Sequence, residues 1–419
     1  MALTDATAGT EQVESLMARL PKGLEDRVTS ILETVVGFDT TSALSNLPMI
    51  EWLEADLSRL GAKTRRFPSQ DGTKANLWAT FGPADKPGVV LSGHTDVVPT
   101  AGQAWTSDPY RLRREGDRLF GRGTCDMKGF FAVVLAVLPA LELKSLRYPL
   151  HLSFSYDEEV GIVGVRGMLK QLAEEEVRPF ACLIGEPTDM NIVIAHKGKR
   201  AETVVVNGKA IHSGLAPQGV NAIYGAADLI RFIRDLQPRL AAECAPDPAF
   251  EIPYPTVNVG PVRGGISVAT VADECRFDYE IRGGLGTDFE HYIEAVHGHA
   301  ARQVVPAMRG ETEHGDIRFE FHTDYPAFEI DRDHPLVGLA ASILPAAKIT
   351  KLSGGTEAGL FASITDTPTI VIGPGSVAQA HQADEFVHLD QLMRCAAFLR
   401  EFFDATVLGN PEQFSLMSA

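Results

Sequence analysis

Residues 88–96 read GVVLSGHTD. An apolar run bounded by glycines and ending on His94 and Asp96 predicts a short buried strand whose C-terminal end carries polar side chains. The pattern recurs along the chain. LHLSFSY at 150–156 runs into Asp157, Glu158 and Glu159, ACLIG at 181–185 runs into Glu186, and TIVIG at 369–373 precedes AHQADE at 380–385. Apolar residues at i, i+3, i+4, i+7 over 13–20, 24–35 and 50–60 predict amphipathic helices, the third stopping at Gly61. Further helices are expected after Gly129 and from Leu389 to Phe403. Strands alternating with helices in this way imply an α/β fold with a mainly parallel, helix-covered sheet.

The middle of the chain follows another rhythm. From about 200 to 322 the order is strand, helix, strand, strand, helix, strand, and in CRFDYEIR at 275–282 the residues Cys275, Phe277, Tyr279 and Ile281 alternate with charges. Such alternation belongs to an antiparallel sheet with one buried face. The expected architecture is an α/β domain of residues 1–199 and 323–419, interrupted by an α+β domain at 200–322.

Composition narrows the function. The 419 residues carry 38 Lys+Arg against 55 Asp+Glu, a formal charge of −17. That surplus repels phosphate backbones and anionic membranes, so neither nucleic acid nor membrane is expected as a partner. No apolar stretch is long enough to span a bilayer, and no signal-peptide pattern opens the chain. Five scattered cysteines without C-x-x-C spacing disfavour a disulfide framework or a thiolate zinc site, and point to the cytoplasm.

Open α/β sheets receive ligands at the C-terminal ends of their strands. Those ends carry His94, Asp96, Glu158, Glu159, Glu186 and His381, and GRGTCDMKG at 121–129 adds Asp126. So many acids with few neighbouring cations call for positive charge, and a metal centre supplies it. Imidazole plus carboxylate without thiolate suits zinc, cobalt or manganese. Two metals about 3.5–4 Å apart would share one carboxylate. Two histidines and three carboxylates suffice as ligands. Asp96 could then accept the His94 imidazole N–H, and Glu158 could carry a proton.

GHTDVVP, GRGTCDMKG, DEEVG, GEPT and AHQADE occur in an order that resembles the M20 family of dinuclear zinc peptidases and amidohydrolases. GRGTCDMKGF, GEPTDMNIVIAHKG, GVNAI at 219–223 and GTEAGLF at 355–361 are most similar to its acetylornithine deacetylase branch. The resemblance implies His94 and Glu186 on one divalent ion, Glu159 and His381 on the other, and Asp126 bridging, with Zn²⁺ as the metal and Co²⁺ as a substitute. It implies Asp96 as the acid behind His94, Glu158 as general base toward a water shared by the metals, and a cis Asp126–Met127 peptide. Residues 200–322 would be a lid and dimerisation domain. His212, in GKAIHSG, would reach the active site of the partner in a homodimer and stabilise the oxyanion.

The implied reaction is hydrolysis of N2-acetyl-L-ornithine to L-ornithine and acetate. A succinyl-diaminopimelate desuccinylase, or a broader N-acyl-amino-acid amidohydrolase or carboxypeptidase, uses the same chemistry, and the SGGT run at 353–356 is shared with the desuccinylases. A non-catalytic small-molecule-binding protein on this fold is the alternative of another class. Arg282, by its match to a substrate-carboxylate arginine of desuccinylases, Lys197 and Thr356 are the substrate-binding candidates; Arg282 and Lys197 read equally well as solvated charges. Two departures weaken the substrate assignment: Ala269 and Ala272 stand where the lid commonly carries Asn and Pro, and Lys199 and Arg200 follow HKG where the branch usually has His. Cys125 reads as a packed neutral thiol.

Overall fold

The computed structural model describes residues 11–83, 85–310 and 313–416. The chain divides into two compact units. The larger runs through Ala195 and resumes over Glu329–Lys351 and from Thr356, and the smaller comprises His196–Phe328 and Leu352–Gly355. The smaller unit takes in a few residues beyond 200–322 because its strands Gly198–Asn207 and Asp316–Tyr325 continue to pair through Lys199↔Tyr325.

The larger unit is built on a nine-stranded sheet. Its main path runs Lys63–Pro68, Ala75–Phe81, Leu150–Ser155, Val89–His94, Ala181–Ile184, Thr369–Val371, Ile192–His196, Phe328–Glu329. The four central strands are mutually parallel, with Val89↔Leu150, Val89↔Ala181 and Thr369↔Cys182 in register, while the outer pairs Lys63↔Thr80 and Leu77↔Phe154 are antiparallel. Every residue of Val89–His94, Leu150–Ser155 and Ala181–Ile184 is buried, which explains why they are apolar apart from Ser92, His94, His151, Ser153 and Ser155.

Helix Lys128–Val137 is buried along its whole length, so it is apolar all round, and it packs against helices Leu24–Val36 and Leu389–Ala405. It lies tight on the sheet at two glycines. A Cβ on Gly185 would come within 2.1 Å of the Phe130 ring, and one on Gly93 within 2.2 Å of Met127 Cε. These close approaches set the residues next to them, His94 and Glu186, beside the start of that helix. A separate three-stranded sheet joins Phe386–His388, Arg118–Phe120 and Arg113–Glu115, with Phe386 opposite Phe120.

The smaller unit has a four-stranded antiparallel sheet in the order Thr256–Gly264, Glu274–Gly283, Gly198–Asn207, Asp316–Tyr325. Helices Ala222–Asp235 and Phe289–His299 close one face over Cys275, Phe277, Tyr279 and Ile281. Among the described residues no helix is long and apolar enough to cross a membrane.

Candidate metal centre

All seven acids and histidines at the strand ends lie in the larger unit. Asp126 precedes the first turn of helix Lys128–Val137, and its peptide bond to Met127 is cis. Its two carboxylate oxygens face different histidines. Oδ1 lies 3.0 Å from His94 Nε2, and Oδ2 lies 3.2 Å from His381 Nε2. Glu186 Oε1 stands 3.7 Å from His94 Nε2, and Glu159 lies 3.1 Å from His381 Nε2. Ligand atoms of His94, Asp126 and Glu159, and those of His94, Glu158 and Glu186, fall within 4.8 Å of one another. These two groups overlap at His94, and with Asp126 facing both histidines they form a donor set of imidazole and carboxylate suited to two divalent cations.

Electrostatics carry the same requirement. Burial pushes Glu158 and Glu186 well above the usual carboxylate range, and pushes Glu159 up as well, because water no longer solvates their charges. Burial also opposes ionisation of Asp126, yet hydrogen bonds with His381 and His94 hold it below its ordinary value. Burial disfavours a charged His94, but the hydrogen bond with Asp126 and the charge of Glu186 prevail and raise it. His381, half exposed, is raised to about 10 by hydrogen bonds to Asp126 and Glu159. The carboxylates thus draw positive charge onto the two imidazoles. Bound cations would supply that charge and free the imidazole nitrogens as ligands.

Asp96 differs from expectation in which atom it uses. His94 Nδ1 meets the backbone carbonyl of Asp96 at 2.8 Å, while the carboxylate stays 3.6 Å away. The chain turns sharply enough after His94 for a carbonyl two residues on to close on the ring. The carboxylate instead accepts the backbone N–H groups of Glu158 at 3.1 Å and Glu159 at 3.2 Å, and the Ser42 hydroxyl at 2.7 Å. It therefore orders the turn that carries both glutamates.

The remaining candidates have partners of their own. The Thr356 hydroxyl accepts the Ala358 N–H at 3.1 Å at the start of helix Ala358–Thr365. In the smaller unit, Lys197 Nζ donates to the carbonyls of Ile252 and Tyr254 at 2.8 and 2.7 Å. Arg282 donates to Glu280 at 2.6 Å and to the Tyr325 hydroxyl at 2.8 Å. His212 is exposed but for an Nδ1 that accepts the Gly214 N–H at 3.1 Å. Cys125 is buried, which pushes its thiol far up and leaves it neutral.

Sequence reasoning missed Glu357, Glu385, Arg122 and Gln103. Glu357 is buried behind the His94 strand, where it accepts the hydroxyls of Ser92, at 2.8 Å, and Ser155. Alternating serines in two adjacent apolar strands were the available signal. Arg122 and Glu385 stand inside quoted motifs, but a charge in a turn reads as solvated until a partner is seen.

The model of peptidase family M20/M25/M40 matches residues 90–405. Acetylornithine deacetylase of Edwardsiella ictaluri is 33% identical over 359 residues, covering 85% of this chain and 90% of that protein. An M20-family metallo-carboxypeptidase from Sulfolobus solfataricus superposes with a TM-score of 0.74 at 18% identity, over 88% of this chain and 97% of that one. A dinuclear metal-binding peptidase of the M20 family from Bacillus subtilis does so with a TM-score of 0.59 at 13% identity, over 91% and 98%. With strand ends, donor set and sequence in agreement, the chain belongs to peptidase family M20/M25/M40 and is a metal-dependent amidohydrolase of the kind that uses two divalent cations.

Proposed function

We propose that the protein hydrolyses N2-acetyl-L-ornithine to L-ornithine and acetate, with Zn²⁺ as its metal. The observation that carries this reading is the match to acetylornithine deacetylases across most of both chains, joined to a carboxylate whose two oxygens face two histidines. His94 and Glu186 would hold one cation, Glu159 and His381 the other, and Asp126 both. When bound, the pair polarises the amide carbonyl and lowers the pKa of water.

The chain's own residues move the proton. Glu158 takes it from the attacking water and delivers it to the amine nitrogen as the amide C–N bond breaks, leaving acetate and a free amine. Its buried carboxyl, pushed upward, suits a group that must hold a proton near neutral pH. Asp96 keeps Glu158 and Glu159 in place through their backbone N–H groups. His212 is assigned to donate to the carbonyl oxygen as charge develops there. Arg282, Lys197 and Thr356 are assigned to the amino-acid end of the substrate, with Arg282 sharing its charge with Glu280.

We assign the smaller unit the role of lid and dimerisation domain. Thr256–Gly264 is an edge strand, and the turn beyond it exposes Ile266 by 87% and Val268 by 99%; Tyr224 of the same unit is exposed as well. Apolar side chains at a free edge invite strand or helix pairing with a second copy. Five free thiols fit a reducing cytoplasm.

A substrate panel tests the assignment. Protein loaded with Zn²⁺ or Co²⁺ should turn over N2-acetyl-L-ornithine with a higher kcat/KM than succinyl-diaminopimelate, other N-acyl amino acids and dipeptides. Equal rates across several N-acyl amino acids would replace it with a broad aminoacylase, and preference for the succinyl substrate with a desuccinylase.

A further inference from the structure

Asp126 and His381 stand on loops far apart in sequence, and one buried guanidinium ties those loops together. Arg122 and Glu385 are each 1% exposed, and Arg122 Nη1 donates to Glu385 Oε2 at 2.6 Å. The second oxygen of Glu385 accepts the backbone N–H of Cys125 at 2.9 Å and of Asp126 at 3.0 Å. Arg122 Nη2 donates to Gln103 Oε1, and Gln103 Nε2 donates to the His381 carbonyl at 2.9 Å. Trp105 Nε1 also donates to Gln103 Oε1, at 3.0 Å, which orients that amide with its oxygen toward two donors and its nitrogen toward the carbonyl. The Trp105 ring lies 5.1 Å from the guanidinium carbon and shields it from water.

The fold makes this meeting unavoidable. Phe386 pairs with Phe120, and the Gly121 N–H donates to the Glu385 carbonyl at 2.9 Å, so Arg122 and Glu385 follow one another across a sheet edge. A buried ion pair is not in itself stabilising, since desolvation can exceed the attraction. What distinguishes this pair is where its remaining bonds go: one branch ends on the backbone of Asp126, the other on the backbone of His381.

We infer that Arg122 is a positioning residue for the two-cation centre, holding Asp126 through Glu385 and His381 through Gln103, and so setting how those two ligands face each other. The inference rests on Asp126 and His381 being cation ligands. Arg122 touches neither substrate nor cation. Its planar fork reaches two acceptors at once, which a lysine ammonium on a single stem does less well.

Metal-stripped full-length protein, titrated with Co²⁺ by calorimetry and visible absorption, tests it. The unaltered protein should bind two ions. Arg122→Met, with unchanged far-ultraviolet circular dichroism, should weaken at least one ion by roughly 10–100-fold and alter the cobalt bands, as loss of a group supporting a ligand does. Arg122→Lys should recover part of that loss. Gln103→Ala, which strands no buried charge, should weaken a single ion. A folded Arg122→Met protein that binds both ions with unaltered affinity and spectrum overturns the inference. Should Arg122→Met fail to fold, Gln103→Ala decides, and unaltered binding of both ions there overturns it equally. Uptake of fewer than two ions by the unaltered protein would instead overturn the two-cation assignment.

Discussion

His151 provides a pH-dependent stability term remote from the chemistry. It is the second residue of the central strand Leu150–Ser155, is 6% exposed, stacks on Trp78 at 5.0 Å between ring centroids, and shares a 2.9 Å hydrogen bond between Nδ1 and the Thr80 hydroxyl. Burial lowers its pKa from 6.5 to about 4, because a charged ring there would lose its water. An unfolded chain therefore binds the ring proton below pH 6.5, and the folded chain does so only below about 4. The stabilisation is fully present above pH 6.5 and is lost as the pH falls. Integrating the two titrations between pH 7 and pH 5 gives a loss of about 2 kcal/mol from this one side chain. His151→Phe keeps an aromatic ring against Trp78 and removes the proton site. Urea unfolding of metal-stripped protein at both pH values should show the unaltered chain losing about 2 kcal/mol more than the variant, since acids elsewhere titrate alike in both. An NMR titration reads the ring directly. Equal pH dependence in the two proteins, or a His151 resonance titrating between pH 6 and 7, refutes the reasoning.

Three further outcomes are expected. Glu158→Gln should keep both metals by elemental analysis yet lose roughly 10²–10⁴-fold in kcat, the usual contribution of a positioned proton carrier; a near-normal rate would remove Glu158 from that role. Chelation should lower the Tm, because each ion bound at about 100 times its Kd contributes about 2.7 kcal/mol and its removal leaves four carboxylates repelling one another; an unchanged Tm by calorimetry contradicts a loaded centre. On the dimer proposed above, Ile266→Asp combined with Val268→Asp should lower the mass seen by light scattering from that of a dimer to that of a monomer, and an unshifted mass would remove this edge from the proposed interface.

Much of the fold was legible because burial leaves a period in the chain. GVVLSG, LHLSFSY and ACLIG are predominantly apolar, and each carries a strand buried on both faces. Cys275 to Ile281 alternate, and that strand buries one face. Strands Lys63–Pro68 and Ala75–Phe81 were not legible. The first is an exposed edge carrying three basic residues, which blunt it against pairing, and the second mixes Asn, Trp and Thr with its apolar residues. The helix expected to reach Leu20 ends at 17, and Pro21 follows the turn.

For the site, residue types at strand ends sufficed to pick out side chains that the structure brings together, because few side chains can carry charge where burial is high. Their second contacts were illegible, since a motif does not say whether a residue works through its side chain or its backbone. Asp96 demonstrates the difference. Two residues after His94, it was the natural carboxylate for the imidazole, yet its carbonyl takes the ring nitrogen and its carboxylate holds the N–H groups of Glu158 and Glu159. The consequence is mechanistic. A carboxylate bound to His94 would tune one proposed cation ligand, whereas one bound to that turn couples the proposed proton carrier and a proposed cation ligand to the same anchor. Changing Asp96 should therefore disturb proton transfer and cation binding together, while changing Glu158 should disturb proton transfer alone.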